Sequence, residues 1–283
     1  MSRIAIVTDT NSSMTPAECE QLGVYLLPMP ILVDEVEYFE GVNCSYSHFF
    51  EMLNNGSDVS TSQPSPDSVI DLWNTALKDH DYVIHIPMSS ALSSSCSTAQ
   101  ALAQDFGGRV FVIDNKRISI SQRMSVLDAL RYADEGMEAA EIAARLEANA
   151  LHASIYLAVN RLDLLRKSGR VTAAAAGFAT VLGIKPVLQI QGGKLDAFSK
   201  ERGMLKAEKA MLTAASADLA SRFSGKNCVV QAAYSGETAP AEEWAKKCAE
   251  FLNLEKVELY QLPLSICCHV ADGVKAIGII EIE

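Results

Sequence analysis

The chain has 283 residues, of which 49% are hydrophobic and 21% charged, and these proportions are those of a globular protein and exclude a disordered or fibrous one. With a net charge of −11 the chain has no stripe of basic residues to bind the phosphate backbone of a nucleic acid, so we expect no nucleic-acid partner. Seven cysteines without a CxxC pair, and apolar stretches too short to span a bilayer, favour a cytoplasmic protein with no stable membrane insertion.

The first half of the chain alternates short strands with helices. The β-branched or apolar runs "RIAIVTD", "YVIHIP" and "RVFVID" predict buried strands. Helices are expected after Thr15 and Ser65, because each is a capping residue followed by a proline. Two further helices are predicted over about residues 119–135 and 137–152. This alternation predicts a largely parallel sheet within residues 1–155.

The second half has a different pattern. "KPVLQIQGGKLDAFSK" predicts a hairpin that turns at Gly192 and Gly193, which is typical of a mixed sheet. A long helix is expected from Met204 to Phe223, and "IGIIEIE" predicts a final strand. The predicted fold class is therefore α/β, with a parallel-sheet domain over residues 1–155 and a mixed-sheet domain over residues 156–283.

Hydroxyl side chains are concentrated where one strand meets a helix. Six of the nine residues from Ser89 to Ser97 are serine. Backbone N–H groups at a helix start lack partners and the helix dipole favours an anion, so this cluster predicts a site for a carboxylate or phosphate. The alternative is that Ser93 or Ser94 only caps its own helix. Thr61 and Ser62 form a second hydroxyl pair ahead of a proline.

Several catalytic patterns are missing from the sequence. There is no GxxxxGK[ST] loop, no GxGxxG after the first strand and no HExxH, and the five histidines are scattered, so we expect neither a cofactor nor a metal. A GxSxG nucleophile motif is also missing. A serine-dependent acyl-transfer or ester-hydrolysing enzyme that uses Ser93 stays open as an alternative.

Small and branched apolar residues follow a basic turn in "GRVTAAAAGFATVLGIKPVLQI". They leave room for a slender ligand, or else they allow tight packing of a helix on a sheet. His269 lies in "SICCHVADG", between an apolar segment and the last strand.

An ordered set of motifs resembles the DegV family of bacterial fatty-acid-binding proteins. The set comprises "IVTDTNSS", "TSQPSP", "SSALSSS", "LRKSGRV", "GIKPVLQIQGGKL", "KERG" and a histidine before the last strand, and it spans nearly the whole chain. The resemblance implies two α/β domains with one long-chain fatty acid, such as palmitate or oleate, buried between them. It also implies a carrier subunit without chemistry of its own, which presents the fatty acid to a separate ATP-dependent kinase subunit for phospholipid synthesis.

The resemblance also assigns roles to individual residues. Thr61, Ser93 and His269 match the positions that hold the carboxylate. Ser62 and Ser94 belong to the two hydroxyl groups noted above, and from these groups rather than from the resemblance we expect them as secondary ligand contacts. The basic residues expected at the pocket mouth or on the kinase-facing side are Arg170 and Arg202.

The sequence departs from the family pattern in two places. Ala91, Ser94 and Ser95 stand where glycine, glycine and threonine are usual, which predicts a stiffer turn. After His269 the chain reads "VADGVKAIG", about two residues longer than the usual Gly-Pro-Gly stretch. A small-molecule sensor with the same pocket is a third hypothesis.

Overall fold

The computed structural model describes residues 2–178 and 183–282. Within these ranges the strands are β1 Ile4–Asp9, β2 Tyr25–Leu27, β3 Pro30–Val33, β4 Val36–Phe39, β5 Val59–Thr61, β6 Tyr82–Ile86, β7 Val110–Val112, β8 Ala153–Ala158, β9 Ile184–Ile190, β10 Asp196–Arg202, β11 Cys228–Tyr234, β12 Glu258–Gln261 and β13 Lys275–Glu281. The α-helices are α1 Pro16–Leu22, α2 Tyr46–Asn54, α3 Pro66–Ala76, α4 Ser95–Ala103, α5 Ile120–Asp134, α6 Ala139–Ala148, α7 Asp163–Ser168, α8 Ala173–Ala176, α9 Met204–Ala220, α10 Thr238–Leu252 and α11 Leu264–Val270.

The first sheet has the strand order β2-β1-β6-β7, and all its pairings are parallel, which confirms the parallel sheet predicted for this half. Helices cover both faces, as a parallel sheet requires. Tyr132 of α5 and Ile142 of α6 pack on one face, and Trp73 of α3 and Cys96 of α4 on the other. The carboxyl ends of these strands, and the loops that follow them, are left at one edge of the layer.

The second sheet has the order β10-β9-β8-β13-β11-β12 and mixes parallel with antiparallel pairs. The predicted hairpin is β9–β10, so the mixed sheet is confirmed. Successive residues of a strand point to opposite faces. Tyr156 and Ala158 of β8 pack with Met211 of α9, whereas Ile155 and Leu157 belong to the core on the other face. That other face forms the floor of a cavity between the two large sheets.

A third, smaller sheet with the order β4-β3-β5 is antiparallel. The sequence predicts extended segments here but not that they form a sheet of their own. β5 ends at Thr61, so this sheet fixes the position of one predicted site residue.

Helix starts follow the predicted caps. The Thr15 hydroxyl accepts the amide of Glu18 at 3.2 Å, and the Ser65 hydroxyl accepts the amide of Ser68 at 3.1 Å. Helix ends are predicted less well. The helix predicted over 137–152 occupies only Ala139–Ala148, and the one predicted to reach Phe223 ends at Ala220.

Part of the small-residue run falls outside the described residues, since residues 179–182 belong to it; its described helical part is α8. Across 2–178 and 183–282, no helix has both the length and the apolar character needed to cross a bilayer. β8 begins at Ala153 and is the first strand of the second sheet. The division of the chain into domains at residue 155 stays a prediction.

Candidate functional site

A cavity of about 240 Å³ lies between the carboxyl ends of the first sheet's strands and the face of the second sheet that α9 and α10 leave uncovered. Its wall is apolar over most of its area. The apolar residues that line it come from both halves of the chain: Met29, Met88, Leu92, Ile118, Ile120, Ile155, Leu157, Leu165, Ile190, Leu195, Ala233, Leu262, Ile266, Val270 and Ala276.

The floor of the cavity is set by strand register. Leu157 of β8 pairs with Ala276 of β13, which in turn pairs with Ala233 of β11. Cross-strand partners face the same side of a sheet, so these three side chains form one row. Two of the three are alanine, and the short side chains leave space above the sheet that longer ones would fill.

Polar residues of four separate segments line the same cavity. Thr61 ends β5, Ser93 and Ser94 precede α4, Arg170 follows α7, and His269 belongs to α11. The structure therefore brings together residues that are up to 208 positions apart. Ser62, the remaining predicted ligand contact, also lines the cavity.

Arg202 lies elsewhere. It is the last residue of β10, its side chain is exposed, and it is not one of the described residues that line the cavity. Arg202 therefore does not belong to the cavity wall, and its kinase-facing role stays a prediction.

Thr61 and His269 are in direct contact, with 3.0 Å between the hydroxyl Oγ1 and the ring Nε2. Burial lowers the pKa of His269 to about 4, and the positive charge of Arg170 acts in the same direction. The imidazole is therefore neutral near pH 7 and has one N–H donor and one acceptor nitrogen. The helix that carries it, α11, was not predicted from the sequence.

Ser93 occupies the turn before α4. Its Oγ accepts the amide N–H of Ser95 at 3.1 Å, so this serine does cap its own helix, as the alternative interpretation holds. That contact uses an acceptor site of the hydroxyl and leaves its O–H free to donate. Ser94 occupies the N-cap position, but its side chain makes no capping hydrogen bond.

Arg170 supplies positive charge beside this polar end. Its Nη1 donates to the carbonyl of Ser168 at 2.5 Å and its Nε to the carbonyl of Leu92 at 3.4 Å. Both acceptors are neutral, and among the described residues no carboxylate forms an ion pair with Arg170. An unneutralised guanidinium next to a hydroxyl cluster favours an anionic group in the cavity.

The hydrogen bonds do not form a nucleophile and base pair. His269 uses Nε2 on Thr61, and in the described part of the chain no histidine is hydrogen-bonded to Ser93. A serine enzyme needs a base within reach of the nucleophile. Over the same residues, no three His, Cys, Asp or Glu side chains are grouped as metal ligands would be.

Sequence reasoning missed four polar residues of the lining: Asn11, Gln63, Ser119 and Ser265. Asn11 lies in the "IVTDTNSS" motif, but nothing local shows that its partner is Ser265, 254 positions away. A helical reading of "LSICCHV" would have placed Ser265 on the same face as His269, since they are four residues apart.

The comparisons with known proteins agree with this architecture. The family model described as "Uncharacterised protein, DegV family" matches residues 3–282. A DegV domain-containing protein of Deinococcus radiodurans is 36% identical over 205 residues, which are 72% of this chain and 73% of that protein.

Two solved structures have the same fold. A DegV family protein from Thermus thermophilus, described as fatty-acid-binding, is similar to this chain with a TM-score of 0.89 and 27% identity, covering 99% of this chain and 100% of its own. A stearic-acid-binding protein from Eubacterium ventriosum has a TM-score of 0.89 at 22% identity, covering 99% and 98%. This second likeness shows the shared fold alone.

Proposed function

Because this chain belongs to the DegV family, we propose that it binds one long-chain fatty acid, such as palmitate or oleate, in the cavity between the two large sheets. The observation that carries the proposal is the cavity itself, which is apolar along its floor and has hydroxyls, a histidine and an unpaired arginine at one end. The fatty-acid-binding Thermus thermophilus protein, with the same fold over its full length, supports the same ligand class.

The proposed carboxylate site consists of Thr61, Ser93 and His269. The Nε2–H of a neutral His269 donates to Thr61 Oγ1, which turns the threonine O–H toward the ligand. Ser93 accepts from the amide of Ser95 and donates its own O–H to the same carboxylate. Burying a bare carboxylate is costly unless such donors replace its water, and the charge of Arg170 lowers the cost further.

The acyl chain is proposed to lie along the row formed by Leu157, Ala276 and Ala233. Each buried CH₂ contributes about 0.8 kcal/mol, so a long chain supplies on the order of 10 kcal/mol before ordering costs. We propose that the two domains, residues 1–155 and 156–283, enclose the chain from either side.

We further propose a carrier role. A fatty acid held in this way would be presented to a separate ATP-dependent kinase subunit, which forms the acyl-phosphate used in phospholipid synthesis. The kinase must bring several negative charges up to a carboxylate on a chain of net charge −11. Positive charge from Arg170 near the carboxylate and from Arg202 on the surface offsets that repulsion and steers docking.

Extraction of the purified protein with organic solvent, followed by denaturing mass spectrometry, tests the ligand class. The proposal predicts a long-chain fatty acid in the extract and a thermal shift when delipidated protein receives palmitate or oleate. An empty extract together with no thermal shift would contradict it. Acyl-phosphate that forms only after a kinase subunit is added would separate the carrier role from a serine enzyme that acts alone.

A further inference from the structure

Two methionines differ from the other apolar residues that line the cavity. Met29 and Met88 both belong to the wall, and Met29 is 3% exposed. The other apolar residues of the described lining are all isoleucine, leucine, valine or alanine, whose side chains are branched or short. A methionine side chain is unbranched and has several rotatable bonds, so it adapts its shape where a branched side chain is restricted. The apolar wall is therefore most adaptable at these two positions.

The backbone at both methionines is held by the same turn of the chain, at the end of β1. The Oγ1 of Thr10 accepts the amide of Met29 at 3.1 Å, and the carboxylate of Asp9 accepts the amide of Met88 at 2.9 Å. Asp9 is itself held, since Nε2 of Gln122 donates to it at 3.2 Å. Adjacent residues thus fix both segments through backbone amides, and these bonds place no restriction on the methionine side chains.

Prolines restrict the two segments further. Met29 lies between Pro28 and Pro30, and Met88 follows Pro87. A proline fixes its own φ and limits the conformation of the residue before it. These segments therefore respond to a ligand most readily through rotation of the methionine side chains, because their backbone is held in place.

We propose that Met29 and Met88 form an adaptable section of the wall, through which the cavity accepts straight and cis-bent acyl chains with similar affinity. A saturated or trans-unsaturated chain is straight, whereas a cis double bond bends it. A wall of branched side chains that fits one shape must leave its rotamer wells or shift backbone to fit the other. This inference rests on the proposed function and specifies the ligand class as saturated and cis-monounsaturated fatty acids alike.

Competition between oleate and elaidate on the delipidated full-length chain tests the proposal. The two acids differ only in the geometry of one double bond, so the ratio of their affinities reports the shape of the chain. The wild type should bind them within about five-fold of each other, which is about 1 kcal/mol.

The matched variants replace methionine by isoleucine, which has a similar volume but is stiff at χ1. The Met29→Ile, Met88→Ile double variant should change the affinity ratio by at least about ten-fold in favour of one acid, and each single variant should give part of that change. Met211→Ile is the control, because Met211 is buried on the face of the second sheet that α9 covers. It should keep the wild-type ratio.

A second measurement needs no variant. The chain contains nine methionines, and each methyl group gives one NMR resonance when methionine is labelled at the methyl carbon. We expect the resonances of Met29 and Met88 to differ between the oleate and elaidate complexes of the wild type, and that of Met211 to be the same in both.

The contrary outcomes are distinct. A wild type that separates oleate from elaidate by more than about five-fold contradicts the proposal, and so does a double variant with the wild-type ratio. Identical methionine spectra of the two complexes also overturn it, whether or not the variants fold. In each of these cases fatty acid still binds and the proposed function stands. If the wild type binds neither acid, the proposed function fails as well.

Discussion

Two hydroxyl groups carry the proposed recognition of the carboxylate, and each is oriented by one contact within the protein. Thr61 is held by His269, and Ser93 is held by the amide of Ser95. In the proposed arrangement, in which Nε2 of His269 carries the proton, the protein occupies an acceptor site of both hydroxyls and each O–H remains available. This pairing distinguishes the two residues from Ser62, whose hydroxyl donates to the carbonyl of Gln63 at 3.0 Å and so uses its proton locally.

Replacing either hydroxyl should weaken palmitate binding with little effect on folding. We expect Thr61→Val and Ser93→Ala each to cost about 1.5–3 kcal/mol of binding free energy, the range for hydrogen bonds to a charged group. Titration calorimetry on delipidated protein measures this. Ser60→Ala, exposed on the same strand as Thr61, is the matched control and should bind like the wild type. Unchanged affinity in the Thr61→Val, Ser93→Ala double variant would place the carboxylate elsewhere.

His85 gives stability a dependence on pH. Burial lowers its pKa to about 3, and neither ring nitrogen has a partner among the described residues. Unfolded chain takes up this proton below about pH 6.5 while folded chain does not, so the free energy of unfolding falls as pH drops from that value toward about pH 3.

The expected size of this effect can be measured by urea unfolding at two pH values. Between about pH 7.5 and about pH 5 the wild type should lose about 2 kcal/mol more than His85→Phe, which keeps an aromatic ring against Trp73. Other titrating groups are common to both proteins and cancel. Asn74→Ala, at an exposed position of α3, is the control and should lose as much as the wild type. If His85→Phe lost as much unfolding free energy as the wild type, His85 would already be protonated in the folded protein at about pH 5.

Some residues that line the cavity could be predicted from the sequence because they lie in recognisable motifs. Thr61, Ser93 and His269 could be assigned because each lies in a motif that matches the family pattern. Asn11 also lies in such a motif, but only the folded chain shows that Asn11 and Ser119 line the cavity.

At the scale of elements, the start of α5 packs directly on β13 of the other sheet. Gly278 permits this approach, because a Cβ at that position would lie 2.6 Å from Cδ1 of Ile120. Ile120 also lines the cavity, so this contact fixes part of the wall. Glycine is needed at position 278 because a side chain there would collide with Ile120.

This contact predicts a compensating pair of substitutions. Gly278→Ala should destabilise the protein by about 1–3 kcal/mol through overpacking. Ile120→Val removes the clashing Cδ1 atom, so the double variant should recover part of that loss. A double-mutant cycle measured by chemical denaturation gives the coupling. Additive effects of the two substitutions would mean that the helix start moves away from the sheet without cost.

Elements with strong local signals were predicted from the sequence, and those defined by tertiary contacts were not. Thr15 and Ser65 act as caps where the sequence places them. α11 was missed because its seven residues are mostly apolar and form fewer than two helical turns, so the one polar pair on its face, Ser265 and His269, is too short a pattern to show helical periodicity. Its start depends on a distant group, since Glu40 accepts the amide of Leu264 at 2.8 Å.

For the whole molecule, the parallel and mixed sheets could be predicted because the alternation of strands and helices differs between the two halves. The small β4-β3-β5 sheet could not, since strand pattern alone does not say which strands pair. This sheet matters for the proposed function because its strand β5 places Thr61 against α11, which belongs to the second half of the chain.

The carrier role also belongs to this scale, because it concerns docking of another protein. Arg202→Ala should leave palmitate affinity within about three-fold and lower the rate of acyl-phosphate formation by an added kinase, more so at low salt. Lys209→Ala, on α9, is the control for a general loss of positive charge. Loss of fatty acid with kinase docking retained would instead assign Arg202 to the ligand, and no change in either would make it an ordinary surface residue.

The central claim is that a fatty-acid carboxylate lies against Thr61 and Ser93 in this cavity. The most direct test is carbon-13 NMR of delipidated protein loaded with palmitate labelled at the carboxyl carbon. We predict one bound resonance, distinct from that of free palmitate, which shifts in Thr61→Val and in Ser93→Ala but not in Ser60→Ala. Absence of a bound resonance, or a bound resonance that none of these substitutions moves, would contradict the account.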